Sequence, residues 1–156
     1  MGGLAGVSLK KRITYMETYK RHCCEDPDSS PVCGTCCYVR SIVGAESSLE
    51  EALDGLGFKQ QQRVAAKVMA SFVHLANGGQ LRSPDRWQTE GDLPGQAAGK
   101  FYAVKCRQKQ LNLRAYLFKF DSDWWVSHYV NKKNQKLSNS DIERVHSNYR
   151  YLKGNS

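Results

Sequence analysis

The groups best suited to chemistry fall in the last third of the chain. Lys105 and Arg107 are two residues apart, as are Arg114 and Tyr116. His128 and Tyr129 close an aromatic and β-branched run, and Lys132, Lys133 and Lys136 follow at once. In a strand, side chains two apart leave the same face. If three successive strands are neighbours, one sheet face gathers several cations, a histidine and a tyrosine. Such a set suits cleavage of an RNA phosphodiester through the ribose 2′-OH, which needs no metal. A base takes the 2′ proton, an acid protonates the leaving 5′-oxygen, and cations stabilise the phosphorane-like charge. Histidine, tyrosine or a lysine beside other cations can fill the acid and base roles, since like charges disfavour the ammonium form. Each group also has a plainer reading. Lys105 and Arg107 suit an exposed strand, His128 a hydrogen-bonded structural role, Tyr129 packing, and Lys132-Lys133 a solvated turn.

A second cluster lies early. Cys23, Cys24, Cys33, Cys36 and Cys37 fall within 15 residues, beside His22. Cys33-Gly34-Thr35-Cys36 is a C-x-x-C knuckle, and with Cys23 and Cys24 it has the donor types of a structural tetrahedral zinc site. A disulfide pair and reduced cysteines packed in the interior are the other readings. Cys106 reads as a buried strand residue.

The elements that must position these groups follow from periodicity. Leu9, Ile13, Met16, Tyr19 and Cys23 draw one helical stripe with Ser8 as N-cap, and a turn-rich connector runs over 24–37. Residues 38–43 read as a strand. Ser47 or Ser48 can cap a helix from Leu49 to Leu56, with Glu50 and Glu51 in its first turn and Gly57 ending it. A second helix runs from Phe58 to Ala76, and Asn77-Gly78-Gly79 stops it. Residues 80–99, with prolines and glycines, read as a loop. Three strands follow at Phe101–Arg107, Leu111–Phe120 and Trp124–Val130, the last two joined by Asp121-Ser122-Asp123. Trp124 and Trp125 point to opposite faces. A final helix spans Asn139 to Leu152. The expected fold is α+β: a small, mostly antiparallel sheet of about four strands, packed by a helical hairpin and a C-terminal helix. Residues 1–37 form a helical, Cys-rich extension and 38–156 the main domain.

Charge divides unevenly along the chain. Its formal net charge is +8, and residues 1–98 hold equal numbers of acids and bases, 11 each, so the whole excess lies in residues 99–156. One strongly basic part suits a polyanionic partner, nucleic acid first; a basic surface kept for solubility is the bland alternative. The chain has no apolar run of about 18 residues, so no membrane span is expected. Met1 to Leu9 is too short for a signal core, and Lys10, Lys11 and Arg12 follow it rather than precede it. A cytoplasmic location is expected.

The segments Leu113–Phe118 and Val126–Lys136, and the helix opening Asp141-Ile142-Glu143-Arg144-Val145, resemble the RelE/HigB toxin family. Its HigB-like branch carries a strand arginine, a strand ending in His, a Lys-Lys-x-Gln-Lys turn and an acidic-Ile-Glu helix start. The helical stretch Leu49–Gly79 is similar to that family's hairpin, and the resemblance covers about residues 38–152. It implies a toxin of a toxin–antitoxin pair that cuts mRNA on the ribosome, without a metal, and is silenced by a cognate antitoxin. By position, Arg114 matches the strand arginine, His128 the strand-end histidine, and Lys132, Lys133 and Lys136 the basic turn. Lys105 and Arg107 lie on the strand where related toxins place phosphate-binding cations. Tyr129, an acid or base candidate beside His128, stands where the HigB-like branch often has a small residue. Residues 1–37 have no counterpart in the minimal toxin, and the 80–99 loop is long for it. A sister branch resembling ParE inhibits DNA gyrase without nuclease chemistry. A zinc-bearing nucleic-acid adaptor that binds without cleaving is a further reading.

Overall fold

A computed structural model describes residues 32–82, 86–95, 98–133 and 136–154. The expected helix at 9–23, and Cys23 and Cys24 with it, lie outside those residues. In chain order the elements are β1 (Val32–Cys33), β2 (Tyr38–Ser41), α1 (Ala45–Leu53), α2 (Phe58–Ala76), β3 (Trp87–Asp92), β4 (Lys100–Gln108), β5 (Leu111–Phe120), β6 (Asp123–Asn131) and α3 (Asn139–Gly154). The architecture is α+β. The strands form one six-stranded sheet ordered β1-β2-β6-β5-β4-β3, in which β2 runs parallel to β6 and every other pair is antiparallel.

The expected α+β class and mostly antiparallel sheet hold; among the described residues the sheet has six strands where about four were expected, and one pair is parallel. β1 adds an edge on the N-terminal side of the boundary expected at 37/38. β3 lies inside the stretch read as a loop. It is a six-residue edge strand interrupted by an irregularity between Thr89 and Gly91, so it shows little alternation. The start of α1 is corrected too. Its N-cap is Gly44, at φ 94°, a left-handed conformation that glycine adopts without strain. Ser48 is instead buried one turn into the helix, its hydroxyl donating to the Ala45 carbonyl at 2.6 Å.

Alternation along the strands sorts the sheet into two faces. Val104, Cys106, Leu111, Leu113, Ala115, Leu117, Trp124 and Val126 pack beneath α1 and α2, with Val64, Val68 and Phe72 above them. On the other face Phe101, Ala103, Tyr116 and Phe118 pack against Val145 and Tyr149 of α3. Trp124 joins the first layer and Trp125 borders the second, as their adjacent positions require. Each layer buries large side chains on both sides of β5, whose Leu113, Tyr116, Leu117 and Phe118 are fully buried. Burial of such a side chain contributes roughly 1.5–3 kcal/mol, so β5 anchors both layers.

One register break decides where the histidine goes. β5 and β6 pair regularly until a bulge between Tyr116↔His128 and Leu117↔Val126, which leaves Ser127 as the extra residue. A bulge shifts the alternation by one. Val126 faces the α1/α2 layer, and so does Tyr129, while His128 is turned to the α3 side opposite Tyr116. The displaced Tyr129 amide donates to the Ser48 hydroxyl at 2.9 Å. That bond, supplied by α1, satisfies the buried N–H.

Candidate nucleic-acid interface

The α3 side of the sheet is apolar where the helix covers it and charged beyond the helix start. Lys105 pairs in register with Arg114, and Arg107 with Asn112. Directly opposed side chains on neighbouring strands stand roughly 5 Å apart at Cβ, so β4 and β5 place three cations side by side on this face. The chain leaving β6 adds Lys132, whose amide donates to the Asn112 carbonyl at 2.8 Å.

Like charges this close repel, and two carboxylates between them offset the repulsion. Glu90, at the irregularity of β3, accepts from the Arg114 guanidinium at 3.1 Å, with both side chains almost fully buried (4 % and 1 % exposed). Burial pushes the Glu90 carboxyl above its ordinary range, while Arg114, Lys105 and Lys132 all pull it back. Three strands and the β6 exit therefore converge on one acid. Gly91 beside it turns toward Phe101, where a Cβ would stand 3.0 Å from the ring.

Asp141 is the second carboxylate, in the first turn of α3, where the helix dipole favours negative charge. One of its oxygens accepts from Lys132 Nζ at 2.9 Å and from the Ser138 hydroxyl at 2.7 Å. The other meets His128 Nε2 at 3.0 Å. Burial raises the Asp141 carboxyl, but the bonds from Lys132, Ser138 and His128 outweigh it and hold the group below its ordinary range.

His128 is completely buried. Burial, opposed by the Asp141 bond, lowers its pKa to about 4. The ring is therefore neutral near pH 7, and its partners define the tautomer. Nε2–H donates to Asp141, and Nδ1 accepts from the Ser127 hydroxyl at 2.9 Å. Ser127 in turn accepts from Asn148 of α3 at 2.8 Å. The Tyr116 ring lies 5.1 Å from the imidazole. Burial, with Asp141 and Glu90 nearby, pushes the Tyr116 phenol well above its usual range, although Arg114 pulls the other way.

The residues expected to act together are thus partly united and partly separated. Lys105, Arg107, Arg114, His128 and Lys132 share one face. Tyr129 does not: the bulge sends it to the opposite layer, 3 % exposed, where burial raises its phenol far beyond proton transfer at neutral pH. Its proposed acid or base role is corrected to packing. Arg114 and His128 are internal, and each already has a carboxylate partner, Glu90 and Asp141 respectively. Arg107, Lys133 and Lys136 are exposed, and Lys105 is half-buried.

Glu90, Ser127, Ser138 and Asn148 were not anticipated as partners. For Ser138 a signal exists, since a serine three residues before an acid marks a helix start. Glu90 carries none, because the strand that presents it is irregular.

Among the cysteines, Cys36 is exposed and Cys33 half-buried near the C-terminal end of α2, where the Cys36 and Cys37 amides both donate to the Ala76 carbonyl at 3.0 Å. Among the described residues no three His, Cys, Asp or Glu side chains are grouped to hold a metal. Cys23 and Cys24, the other expected ligands, are outside them. No described helix is long and apolar enough to cross a membrane. Searches of family models, curated proteins and solved structures return no match to this chain.

Proposed function

We propose that the protein is an RNA-directed toxin of RelE/HigB type, acting as a metal-independent endoribonuclease on mRNA at the ribosome. The observation that carries the reading is the register that sets Lys105 and Arg107 beside Asn112 and Arg114, with Lys132 joining from the β6 exit. Phosphate oxygens fit that surface. Arg107 is exposed and its guanidinium can take two of them. Lys105 stands next to it on the same face. Lys133 and Lys136, exposed between β6 and α3, extend the cationic border.

The reaction in this reading is attack of a ribose 2′-oxygen on the adjacent phosphorus with departure of the 5′-oxygen. Arg107 and Lys105 stabilise the added negative charge of the transition state. Loss of one such donor typically lowers a rate by about 10²–10³-fold. His128 holds Asp141, and Asp141 holds Lys132, so the histidine is a positioning residue and not the proton carrier. The base that takes the 2′ proton and the acid that protonates the 5′-oxygen are then not His128, Tyr116 or Tyr129, which are buried. In cells, a cognate antitoxin with an acidic segment would cover the basic face.

One observation favours a second reading. The groups best able to move a proton, His128, Tyr116 and Tyr129, are all buried. Cations whose neighbouring His128 and Tyr116 are buried suit a module that grips nucleic acid and blocks without cutting. Expression in cells with mapping of mRNA 5′ ends separates the two. New ends that disappear with Arg107→Ala support the nuclease. Growth arrest with intact mRNA refutes it and leaves the binding module.

A further inference from the structure

A groove of about 1130 Å³ opens on the far side of β4 from α3, between that strand and α2. β3 covers β4 only as far as Trp87↔Val104, and beyond it the Lys105 amide donates to the Arg86 carbonyl at 2.9 Å. Residues 105–108 are therefore the lip over which the α3 face and the groove meet. Lys105 and Arg107 belong to both.

The groove lining is basic around an apolar floor. Lys67 and His74 of α2, Arg82 and Arg86 of the following segment, and Lys105 and Arg107 of β4 line it, and none of the described lining residues is acidic. Val68, Leu81 and Cys106 form the floor. Lys67 is close enough to Cys106 to favour its thiolate, although burial dominates and raises that thiol. His74 is fixed in place, its ring packed on Gly79 and its Nε2 3.1 Å from the Gln80 carbonyl oxygen.

The helix behind the groove carries a second sign of the same preference. α2 has no Asp or Glu over its 19 residues, yet Lys59, Arg63 and Lys67 follow one another at spacings of four and are all exposed. Like charges at that spacing destabilise a helix. Among the described residues no carboxylate pairs with them; a polyanion lying along the helix would offset them.

We propose that this groove is a track for single-stranded RNA, in which Lys67, Arg82 and Arg86 bind successive phosphates of the strand whose neighbouring phosphate sits at Arg107. The inference rests on the RNA reading and extends its site. A cationic rim above an apolar floor is how single strands are held without sequence preference, phosphates on the rim and base faces on the floor. A duplex presents its phosphates on the outside of a wide cylinder and its bases within, and has no use for a floor between a helix and a strand edge.

The test measures binding of 2′-O-methyl RNA, which cannot be cleaved through its 2′ position, as a function of salt. The probes are single strands of about twelve and about four nucleotides and a duplex of the longer one. The full chain should prefer the longer single strand. Lys67→Gln/Arg82→Gln/Arg86→Gln should remove that preference and flatten the slope of log affinity against log salt by about 2, at about 0.7 per lost phosphate contact. Lys67→Gln alone, checked for folding by near-UV circular dichroism, should flatten it by about a third of that. An unchanged slope and length preference in the triple variant, with Arg107→Ala weakening both probes, overturns the track and spares the RNA reading. Equal binding of the duplex also overturns it. No binding of any probe by the wild-type chain overturns the RNA reading itself.

Discussion

Replacing His128 with Gln tests whether the imidazole is structural or catalytic. The ring has no exposed surface, donates from Nε2 to Asp141 and accepts at Nδ1 from Ser127. Burial lowers its pKa from 6.5 to about 4. The folded state therefore resists a proton that the unfolded state accepts. Stability linked to this group is complete above pH 6.5 and is lost as pH falls from 6.5 toward 4. The difference of about 2.5 pH units, at about 1.36 kcal/mol each, amounts to about 3 kcal/mol. That is a large part of the roughly 5–15 kcal/mol that holds a domain together. Asp141, held below its ordinary range, adds a loss of the same sign at still lower pH. Glu90, raised by burial, acts in the opposite direction above 4.5, so the wild-type curve alone is ambiguous. The difference between wild type and His128→Gln isolates the imidazole, because glutamine can donate to Asp141 and accept from Ser127 without titrating. Urea unfolding at several pH values, followed by the fluorescence of Trp87 and Trp124, should give curves that converge as pH drops from 6.5 to 4. Parallel curves, or an imidazole that titrates near 6.5 by NMR, would refute the buried neutral ring and restore His128 as a proton carrier.

Arg114→Ala should cost about 3–5 kcal/mol, because it strands the buried Glu90 carboxylate; Arg114→Met with Glu90→Leu should recover most of that in the same unfolding assay. Ser48→Ala removes the acceptor of the Tyr129 amide, and an unsatisfied buried donor costs about 1–3 kcal/mol. Hydrogen exchange at Tyr129 should quicken while the β4–β5 amides keep their protection. Arg107→Ala and Lys133→Ala alter exposed groups, so unfolding free energy should stay within about 0.5 kcal/mol while RNA affinity falls and its salt dependence weakens. A loss of stability instead would make those cations part of the scaffold.

Most of the frame was legible because its periodicities are clean. The α2 limits, Phe58–Ala76, are those the apolar spacing and Asn77-Gly78-Gly79 imply, and β5 runs from Leu111 to Phe120 as expected. The pairs Lys105/Arg107 and Arg114/Tyr116 share a face as alternation requires. What alternation cannot reveal is a bulge. Ser127 is one residue too many for the pairing, and nothing in Val126-Ser127-His128-Tyr129 announces it, so His128 and Tyr129 exchange the faces that simple counting assigns them. β3 was hidden for a similar reason. It is an edge strand whose alternation breaks at Glu90, in a stretch with glycines and prolines on either side. Burial was the other blind spot: sequence spacing brings Arg114 onto the right face but does not tell that Glu90 occupies it, nor that Asp141 occupies His128.

The buried and the exposed charges of this face do different work. A carboxylate left unpaired in the interior is costly, and so is a guanidinium. Arg114–Glu90 and Lys132–Asp141 answer each other, so neither pair leaves net charge for a ligand. They join elements that hydrogen bonds along the sheet do not join directly: β3 to β5 across β4, and the β6 exit to α3. Their geometry decides where Lys105 and Arg107 stand relative to the α3 start. The surface charge that the proposed RNA reading uses then comes from the β4 lip and from Lys133 and Lys136. A substitution in the buried pairs should displace the lip and reduce RNA binding through position, with the salt slope unchanged. A substitution on the lip should change the slope itself. Comparing salt slopes for Glu90→Gln and Arg107→Ala distinguishes the two, and equal flattening by both would show that the buried pairs touch the ligand after all.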